Sequence, residues 1–526
     1  MFSVPFALRR PVSLTTSTFR FATLGLVAFA ACTRDARVPS EPSVARAPAF
    51  AVQATNRGGP AQNGRHIVTF RGQIPTDFAA QIGHLGGQVL WTSPGAGLAV
   101  VRGLSRTSAA SLASNQSVAE VDEDDLLRLD KPTLGAVDAG GATGPQSADN
   151  PAGAVRFARQ WNMRAVQVDA AWAAGFLGSP SVSIFMLDSG IDYLHSDLVG
   201  RIDLDRSVDL LGTFDAPAVV GKDTVIVPFT EADTVAKYFP TRLPITDLFF
   251  HGTHTGATVS SNAVRTAGVT SKTKLVAVKV CGYIDLCPFS SILGGVLYGA
   301  ANGADVMNLS LAGAFLKNGN KAFIQLIARV FEFAHSQGVT IVVSAGNDAF
   351  NLDTHGNIYF SFCDTPDVIC VAATGPTSDA TGQTTLTGPW TDVDAHAFYS
   401  NFGRKAIDVA APGGNSSFGP DLPAPASRAV FVSAPCSQTA IFTDANGVKF
   451  FPCAASPIFL IGARGTSMSA PHVTGTAALL VSILGRNPDA IKERIEESAD
   501  QIGSIQVRGF YGNGRLNVAR AVGAIP

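Results

Sequence analysis

Charge and long apolar stretches are both scarce in this chain. Only 15% of its 526 residues are charged, and the formal net charge of −2 at pH 7 gives no general attraction to nucleic acid or to an anionic membrane. No apolar run reaches the roughly 18 residues of a membrane-spanning helix, and the sequence has no internal repeat and no nucleic-acid motif. Hydrophobic residues make up 46% of the whole sequence, which allows a large buried core, and 526 residues are enough for more than one domain.

Cysteine is also sparse, and its positions are informative. Cys32 stands alone near the N-terminus, and the other six fall into three close pairs: Cys281 and Cys287, Cys363 and Cys370, and Cys436 and Cys453. We predict three local disulfides, formed in an oxidising compartment. Six unrelated buried thiols are the alternative, because proximity alone does not decide among the roughly 15 ways of pairing six cysteines.

The first 32 residues have the pattern of an export signal. Arg9 and Arg10 precede the short apolar run Phe21–Ala31, which ends in small residues. Cys32 follows, at the position that is lipidated in bacterial lipoproteins. A lipid anchor at Cys32 and ordinary secretion, with cleavage at the end of the apolar run, both remain open, since Phe29 departs from the leucine usual in a lipidation motif. We therefore predict a secreted or cell-envelope protein.

Residues 61–130 have the pattern of a small α+β unit, which follows a Pro- and Ala-rich linker at 33–60. Strand-like and helix-like segments come in the order β-α-β-β-α-β, which is that of a ferredoxin-like split unit. The segments are 65–70, 77–84, 87–91, 97–101, 105–114 and 118–124. Residues 131–159, rich in Gly and Ala, predict a second linker.

From residue 160 to residue 526, apolar strand-like segments alternate with helix-like ones. Such alternation predicts an α/β fold with a doubly wound, mostly parallel sheet between two layers of helices. In this architecture ligands lie beyond the carboxyl ends of the strands. Asp188, Ser310 and Asn347 fall at or just after such strand ends, so we expect the functional site at that edge of the sheet.

Three short motifs in this region together indicate nucleophilic catalysis. Asp188 ends an apolar strand before a glycine turn, and His251 opens the sequence His-Gly-Thr-His. Ser467 lies in Gly-Thr-Ser-Met-Ser-Ala-Pro-His, ahead of an apolar, small-residue segment that predicts a helix buried on all sides. A serine hydroxyl needs a base to become nucleophilic, and a helix N-terminus favours the negative charge that then develops.

With these motifs in the order Asp188, His251, Ser467, the chain from about residue 160 onward resembles the subtilisin-like serine proteases. The resemblance implies that Ser467 is the nucleophile, His251 its general base and Asp188 the residue that orients the imidazole. It implies that Asn347 donates to the oxyanion. It also implies two strands that bind the substrate backbone, with the residues Ser310, Leu311, Ala312, Gly313 and, on the opposing side, Gly282.

Other residues near these motifs compete for the same roles. Asp192, His254 and His472 lie close to the proposed catalytic residues in sequence but match the family motifs less well. We predict structural roles for all three. A turn asparagine is the alternative for Asn347, since Asn is frequent beside Gly in turns.

The N-terminal unit resembles the inhibitory propeptide of the same proteases. The resemblance implies that residues 61–130 assist folding and then cover the active site until they are cut off. Leu126–Asp130 would occupy the substrate cleft, and cleavage would fall near Leu129–Lys131. An unrelated α+β domain is the alternative.

The catalytic region departs from a minimal family member in insertions at 201–247, 376–396 and 414–460, which we expect to border the cleft. The loop 260–267 is short at the place where relatives often hold a structural calcium. We predict no metal ligands and no required cofactor, and structural calcium remains an alternative without a clear ligand motif. The aspartates of the first insertion are interpreted as solvated turn residues rather than a metal cage.

The prediction as a whole is a monomeric, secreted serine endopeptidase, made as a self-processing zymogen, that cuts protein or peptide substrates. Backbone pairing makes few sequence demands, so broad cleavage is expected. One alternative is a catalytically silent binding protein on the same fold, which would bind peptides without turnover. Another is a related hydrolase, such as an esterase or a dedicated maturation protease, which digestion of a peptide library would distinguish.

Overall fold

The structure is a computed structural model that describes residues 64–129, 133–138, 146–220, 223–354, 356–379, 390–415, 430–433, 442–443, 449–450, 460–503 and 508–526. All of these residues belong to one compact unit. The strands, in chain order, are β1 (Arg65–Phe70), β2 (Gln88–Ser93), β3 (Leu98–Arg102), β4 (Val118–Glu123), β5 (Leu126–Arg128), β6 (Thr133–Asp138), β7 (Ser183–Asp188), β8 (Val208–Asp209), β9 (Thr213–Val220), β10 (Asp223–Thr230), β11 (Lys274–Lys279), β12 (Leu286–Pro288), β13 (Val306–Leu309), β14 (Gly313–Leu316), β15 (Thr340–Ser344), β16 (Ile358–Ser361), β17 (Val368–Thr374), β18 (Ser378–Asp379), β19 (Trp390–Thr391), β20 (Val409–Pro412), β21 (Val430–Ser433), β22 (Phe442–Thr443), β23 (Lys449–Phe450) and β24 (Leu460–Arg464). The α-helices are α1 (Phe78–His84), α2 (Arg106–Ala113), α3 (Trp161–Ala165), α4 (Val168–Ala173), α5 (Glu231–Tyr238), α6 (His251–Val259), α7 (Phe289–Ala301), α8 (Lys321–Ser336), α9 (Thr466–Leu484), α10 (Pro488–Glu497) and α11 (Val518–Ala521).

The N-terminal unit, residues 64–129, contains the predicted β-α-β-β-α-β succession. Its four strands form an antiparallel sheet in the order β2-β3-β1-β4. One face of the sheet packs against α1 and α2. Ser105 caps α2 by accepting the N–H of Ser108 at 3.0 Å. The opposite face, with Ile67, Leu98 and Val100, packs in the same apolar core as α7 and α8.

A seven-stranded parallel sheet organises the rest of the described chain. Its order is β20-β17-β15-β13-β7-β11-β8, and all neighbouring strands in it pair in parallel. This confirms the predicted α/β fold class. The chain adds β8 and β11 on one side of β7 and the later strands on the other, so the winding direction reverses at β7. A reversal of this kind opens a crevice at the carboxyl ends of the strands.

Alternate residues of each strand enter two different apolar cores, one on each face of the sheet. In β7, Phe185 and Leu187 lie in the core with α7 and α8. Ile184 and Met186 lie in the other core, with α6, α9 and α10. Because successive side chains of a strand point to opposite faces, a sheet covered on both sides reads as a continuous apolar run in the sequence.

Helix α9 is buried over most of its length and crosses one face of the sheet. Every residue from Thr466 to Val481 is buried, which confirms the prediction from its small apolar residues. By length and composition this helix is apolar enough to cross a membrane, but 83% of its apolar 18-residue segment is buried inside the protein. It is therefore the core helix of the sheet, and it delivers Ser467 to the carboxyl edge.

The structure adds detail to the predicted linker, the first insertion and the disulfides. The segment 131–159, predicted as a loose linker, includes β6, which pairs antiparallel with β24. The insertion 201–247 contains β8, the hairpin β9–β10 and α5. Two predicted disulfides are present, Cys281–Cys287 and Cys363–Cys370, with Cα–Cα distances of 4.2 and 5.2 Å. Cys32 and the pair Cys436 and Cys453 lie outside the described residues.

Candidate active site

Asp188 and His251 meet at the carboxyl edge of the sheet, because Asp188 ends β7 and His251 begins α6. The Nδ1 atom of His251 lies 2.7 Å from Oδ1 of Asp188, and both side chains are fully buried. The carboxylate also accepts the N–H of Ser189 at 2.7 Å and the hydroxyl of Thr255 at 3.0 Å. These bonds fix the imidazole with Nδ1 as the donor, so Nε2 is left as the basic nitrogen. Nε2 is buried and has no hydrogen-bond partner within the described part of the chain.

Asp247 supports this pair and was not among the predicted site residues. It is fully buried, and burial raises the pKa of its carboxyl. Its carboxylate accepts five hydrogen bonds of 2.7–3.0 Å, from the Ser189 hydroxyl, the N–H groups of Phe249, Phe250 and Thr253, and the Thr253 hydroxyl. Asp247 thereby ties the residue after Asp188 to the first turn of the helix that begins with His251. Asp247 lies three residues before the N-cap position, Phe250, so the usual N-cap pattern in the sequence does not reveal it.

Ser467 is the second residue of α9 and lies beside Ser310, which follows β13. Its hydroxyl donates to the carbonyl of Ser310 at 3.1 Å, and the Ser310 hydroxyl donates to the carbonyl of Ser467 at 2.8 Å. Asn308, in β13, donates to the Ser310 hydroxyl at 3.0 Å. The reciprocal pair of bonds fixes the start of α9 to the end of β13 and holds Ser467 at the sheet edge.

Asn347 is oriented by the residue before Ser467. Its side-chain oxygen accepts the N–H of Thr466 at 2.8 Å and the Thr466 hydroxyl at 3.0 Å. The Thr466 hydroxyl also accepts the N–H of Gly346 at 3.1 Å. With its oxygen held in this way, the Asn347 side chain has its NH₂ group as the end that donates, next to the start of α9.

The three competing residues have other partners or surroundings. Asp192 forms an ion pair with Arg242 at 2.5 Å. The two ring nitrogens of His472 lie 2.9 Å from the carbonyl of Met468 and 2.9 Å from Nδ2 of Asn162, and burial lowers its pKa to about 4. His254 is buried in α6 beside His251.

The end of the N-terminal unit, residues 126–129, is called the tail below. It lies along β12, next to the proposed substrate-binding residues. The last strand of the unit, β5, pairs antiparallel with β12, and the Leu127 side chain lies against Gly313. Of the predicted binding residues, Ser310 and Leu311 are buried, whereas Ala312 and Gly313 are half-buried. Gly282 does not pair with the tail, because the pairing strand is Leu286–Pro288. Gly282 instead lies close to the side chains of Glu231 and Phe229.

The short loop 260–267 does not fit the calcium ion that the family resemblance leaves open. One oxygen of the Asp197 carboxylate accepts the N–H groups of Val264 and Arg265 at 2.9 and 2.8 Å. The other accepts the N–H and the hydroxyl of Thr266 at 3.1 and 3.0 Å. A calcium site presents oxygen acceptors to the cation, whereas this carboxylate is surrounded by donors. Nor do the described residues contain a cluster of three or more His, Cys, Asp or Glu suited to a metal ion.

Comparisons with known proteins agree with the fold and the motifs. The subtilase (peptidase S8) family matches residues 179–514. Thermitase from Thermoactinomyces vulgaris is 25% identical over 367 residues, which cover 69% of this chain and 96% of that protein. An extracellular protease from Xanthomonas campestris pv. campestris is 30% identical over 298 residues, or 54% of this chain and 41% of the relative.

Among solved structures, the epidermin leader peptide processing serine protease from Staphylococcus aureus shares the fold, with a TM-score of 0.60 and 18% identity. The match covers 88% of this chain and 98% of that one. Since the family match alone spans well over half of the chain, the protein belongs to the subtilase family and is a subtilisin-like serine endopeptidase that acts on peptide substrates.

Proposed function

We propose that the chain is the autoinhibited, self-processing precursor of a secreted serine endopeptidase, with Asp188, His251 and Ser467 as its catalytic triad. The observation that carries the assignment is the buried hydrogen bond between Asp188 and Nδ1 of His251. It leaves Nε2 as a base, at the same sheet edge as the start of α9.

The reaction begins when Nε2 of His251 takes the hydroxyl proton of Ser467, whose oxygen attacks the scissile carbonyl. For this step the hydroxyl turns from the carbonyl of Ser310 to His251. Such rearrangement is ordinary, because catalytic hydrogen bonds tighten only when substrate is bound. The side-chain NH₂ of Asn347 and the N–H of Ser467 stabilise the oxyanion. His251 then protonates the leaving amine, and water attacks the acyl-enzyme by the same route, while Asp188 stabilises the imidazolium.

The N-terminal unit acts as the inhibitor in this proposal, and its contacts support the role. Arg65 is buried and donates to the carbonyl oxygens of Leu211 and Thr213, at 2.5 and 2.7 Å, within the first insertion. Asp124 accepts the N–H and the hydroxyl of Ser290, at 2.8 and 2.5 Å, and so caps the N-terminus of α7. These contacts seat the unit on the catalytic region and lead its tail to the cleft.

The alignment with a solved relative supports the same arrangement. Residues 131–526 make up only about three quarters of the chain, so a match over 88% includes part of the N-terminal unit. In this proposal the unit spans 61–130, and the chain is cut near Leu129–Lys131. Self-processing would then remove the N-terminal unit from the active site, which lies within residues 160–526.

Export is proposed from the signal pattern of residues 1–32, which lie outside the described part. The two disulfides seen in the structure are typical of oxidising compartments. A lipid anchor at Cys32 remains the alternative to free secretion. The proposed enzyme acts as a monomer and without nucleic acid.

Labelling of the purified full chain with a fluorophosphonate probe tests the proposal. Mass spectrometry should find the label on Ser467, with none on a Ser467→Ala variant, and a new N-terminus near residue 131. The Ser467→Ala chain should remain uncut, since processing needs the same nucleophile. Absence of label on a chain from which residues 1–130 have been removed would overturn the assignment and favour a catalytically silent binding protein.

A further inference from the structure

The tail of the N-terminal unit is bound as a strand, with the register that a peptide ligand would have. Leu126, Leu127 and Arg128 pair antiparallel with Pro288, Cys287 and Leu286. The pairing continues beyond β5, since the N–H of Leu129 donates to the carbonyl of Asp285 at 2.7 Å. Main-chain pairing of this kind supplies affinity, and the side chains that alternate along the strand supply selectivity.

Two leucines of the tail are buried, on either side of an arginine. Leu127 and Leu129 both belong to the apolar core of the catalytic region, and Leu127 lies against Gly313. A side chain added at Gly313 would lie 3.1 Å from Leu127, so the glycine leaves room for this leucine. The surface under the tail therefore has two places for branched apolar side chains, two residues apart.

Arg128, between the leucines, forms an ion pair with the carboxylate of Asp285. The arginine is 59% exposed, whereas the Asp285 side chain is only 2% exposed. The carboxylate is thus covered while the tail is bound, and the guanidinium lies at the surface. Hydrogen bonds between two charged groups are stronger than those to a neutral partner, so this carboxylate favours a cation over a neutral or acidic side chain at the position of Arg128.

The backbone holds Asp285 in this position. Asp285 lies in the loop closed by the disulfide Cys281–Cys287, and its φ of 60° is in the left-handed region, where Asp and Asn are the most readily accepted residues after Gly. Its N–H donates to the carbonyl of Gly282 at 3.0 Å, which closes a tight turn. A short, cross-linked turn presents one carboxylate to whatever strand pairs with β12.

We propose that the processed enzyme selects substrates in which an arginine or lysine lies between two leucine-like residues, and that Asp285 recognises the cation. The inference rests on the proposed function, because it takes the tail as a resident copy of the substrate. The enzyme would then cleave a narrower range of sequences than backbone pairing alone allows. The selectivity would depend on Asp285, which lies outside the catalytic triad.

Internally quenched peptides of the sequence 126–134 test the proposal on enzyme processed from the full chain. The set carries Arg, Lys, Met or Glu at the position of Arg128. Cleavage sites are mapped by mass spectrometry. We expect kcat/KM to be about five- to tenfold higher for Arg than for Met, with Lys between them and Glu slowest, which is the size of a charge-assisted but partly solvated contact.

The variant Asp285→Asn keeps a residue suited to the left-handed backbone and removes the charge. It should bring the Arg-to-Met ratio to about one, mainly by slowing the Arg peptide. Asp233→Asn, which removes an exposed charge from α5, is the matched control and should leave the ratio unchanged. An equal rate for Arg and Met in the unaltered enzyme, or a ratio untouched by Asp285→Asn, would overturn the inference.

The two proposals fail in distinguishable ways. Cleavage of the Met peptide, together with label on Ser467, upholds the proposed function whatever the selectivity. A processed enzyme that is labelled but cleaves none of the peptides would overturn the inference alone, because the tail would then not resemble a substrate. Loss of both labelling and cleavage would instead overturn the proposed function.

Discussion

Two buried acid–base pairs lie side by side at the carboxyl edge of the sheet, and they differ in whether a hydrogen-bonding atom of the basic side chain stays without a partner. Asp188 and Lys279 are register partners on the neighbouring strands β7 and β11. Asp188 bonds His251, and Lys279 lies 2.6 Å from Glu231 of the first insertion. All four side chains are fully buried.

The difference lies in the bonds beyond each pair. The ammonium of Lys279 also donates to the carbonyl oxygens of Thr246 and Pro244, at 2.6 and 3.2 Å, and Glu231 accepts the N–H of Tyr283 at 2.7 Å. Burial raises the pKa of Glu231 to about 7, even beside Lys279. Lys279 thus has its donors engaged, whereas His251 keeps one basic nitrogen without a partner in the described structure. The first arrangement anchors an insertion, and the second is suited to move a proton.

The largest expected effect is a loss of activity when the Asp188–His251 pair is changed, as opposed to the Glu231–Lys279 pair. Asp188→Asn should lower kcat by about four orders of magnitude, because the imidazole loses the partner that fixes its tautomer. The measurement is steady-state hydrolysis of a quenched peptide. Asp192→Asn, the sequence neighbour that pairs with Arg242, should retain kcat within a few-fold. Equal loss in both variants would contradict the assignment of Asp188.

The second pair should respond in stability instead. Glu231→Gln leaves the buried Lys279 charge without its carboxylate, and we expect a loss of about 3 kcal/mol in the free energy of unfolding. Urea unfolding of the Ser467→Ala chain avoids self-digestion during the measurement.

A double variant sharpens this test. Glu231→Met combined with Lys279→Met removes both charges and should recover most of the lost stability. Glu231→Gln in the active chain should still accept the fluorophosphonate label. A variant of normal stability that fails to label would show that the two pairs do not differ as described.

A smaller effect is expected at Asp247, which positions the first pair without contacting substrate. Asp247→Asn has one acceptor oxygen for bonds that now use two, so some N–H donors of the α6 turn lose their partner. We expect kcat to fall about tenfold with KM nearly constant, and the apparent pKa in the pH profile of kcat/KM to shift. The control is Asp203→Asn. Asp203 has a partly exposed carboxylate and lies in the insertion 201–247, as Asp247 does. An unchanged pH profile would reduce Asp247 to a purely structural residue.

The last expected effect is seen only at acidic pH and concerns His396, a half-buried histidine. Burial lowers the pKa of His396 to about 3, against an ordinary 6.5, while its ring stacks on Phe510 at 4.3 Å. The unfolded chain takes up a proton below about pH 6.5 and the folded chain does not until about pH 3. Stability therefore falls as the pH drops through this window, by up to about 1.4 kcal/mol per pH unit.

His396→Phe keeps the ring stacking and removes the titrating group. In the Ser467→Ala chain it should flatten the dependence of Tm on pH between about 6.5 and 4. His84→Phe, at an exposed histidine, should leave that dependence as it is. An equally steep curve after His396→Phe would assign the acid sensitivity to other groups, His472 among them.

Much of the fold was predictable because its signals are local. The alternation of apolar segments predicts the parallel sheet, and the β-α-β-β-α-β order of the N-terminal unit follows from period and turn residues. Observed boundaries shift by only a few residues, as for β2, predicted over 87–91 and observed over Gln88–Ser93. The disulfides Cys281–Cys287 and Cys363–Cys370 were also predictable, since their partners are close in sequence.

In the candidate site, too, the local motifs were predictable and the contacts between distant residues were not. The sequence by itself determined the motifs around Asp188, His251 and Ser467, because each is a short run whose residue types suit one step of the chemistry. Only the tertiary structure decided that Asp247 bonds Ser189, that Glu231 pairs with Lys279 and that Asp285 contacts Arg128. These partners are separated by strands and helices, and their contacts depend on sheet order and loop geometry, which no local pattern encodes.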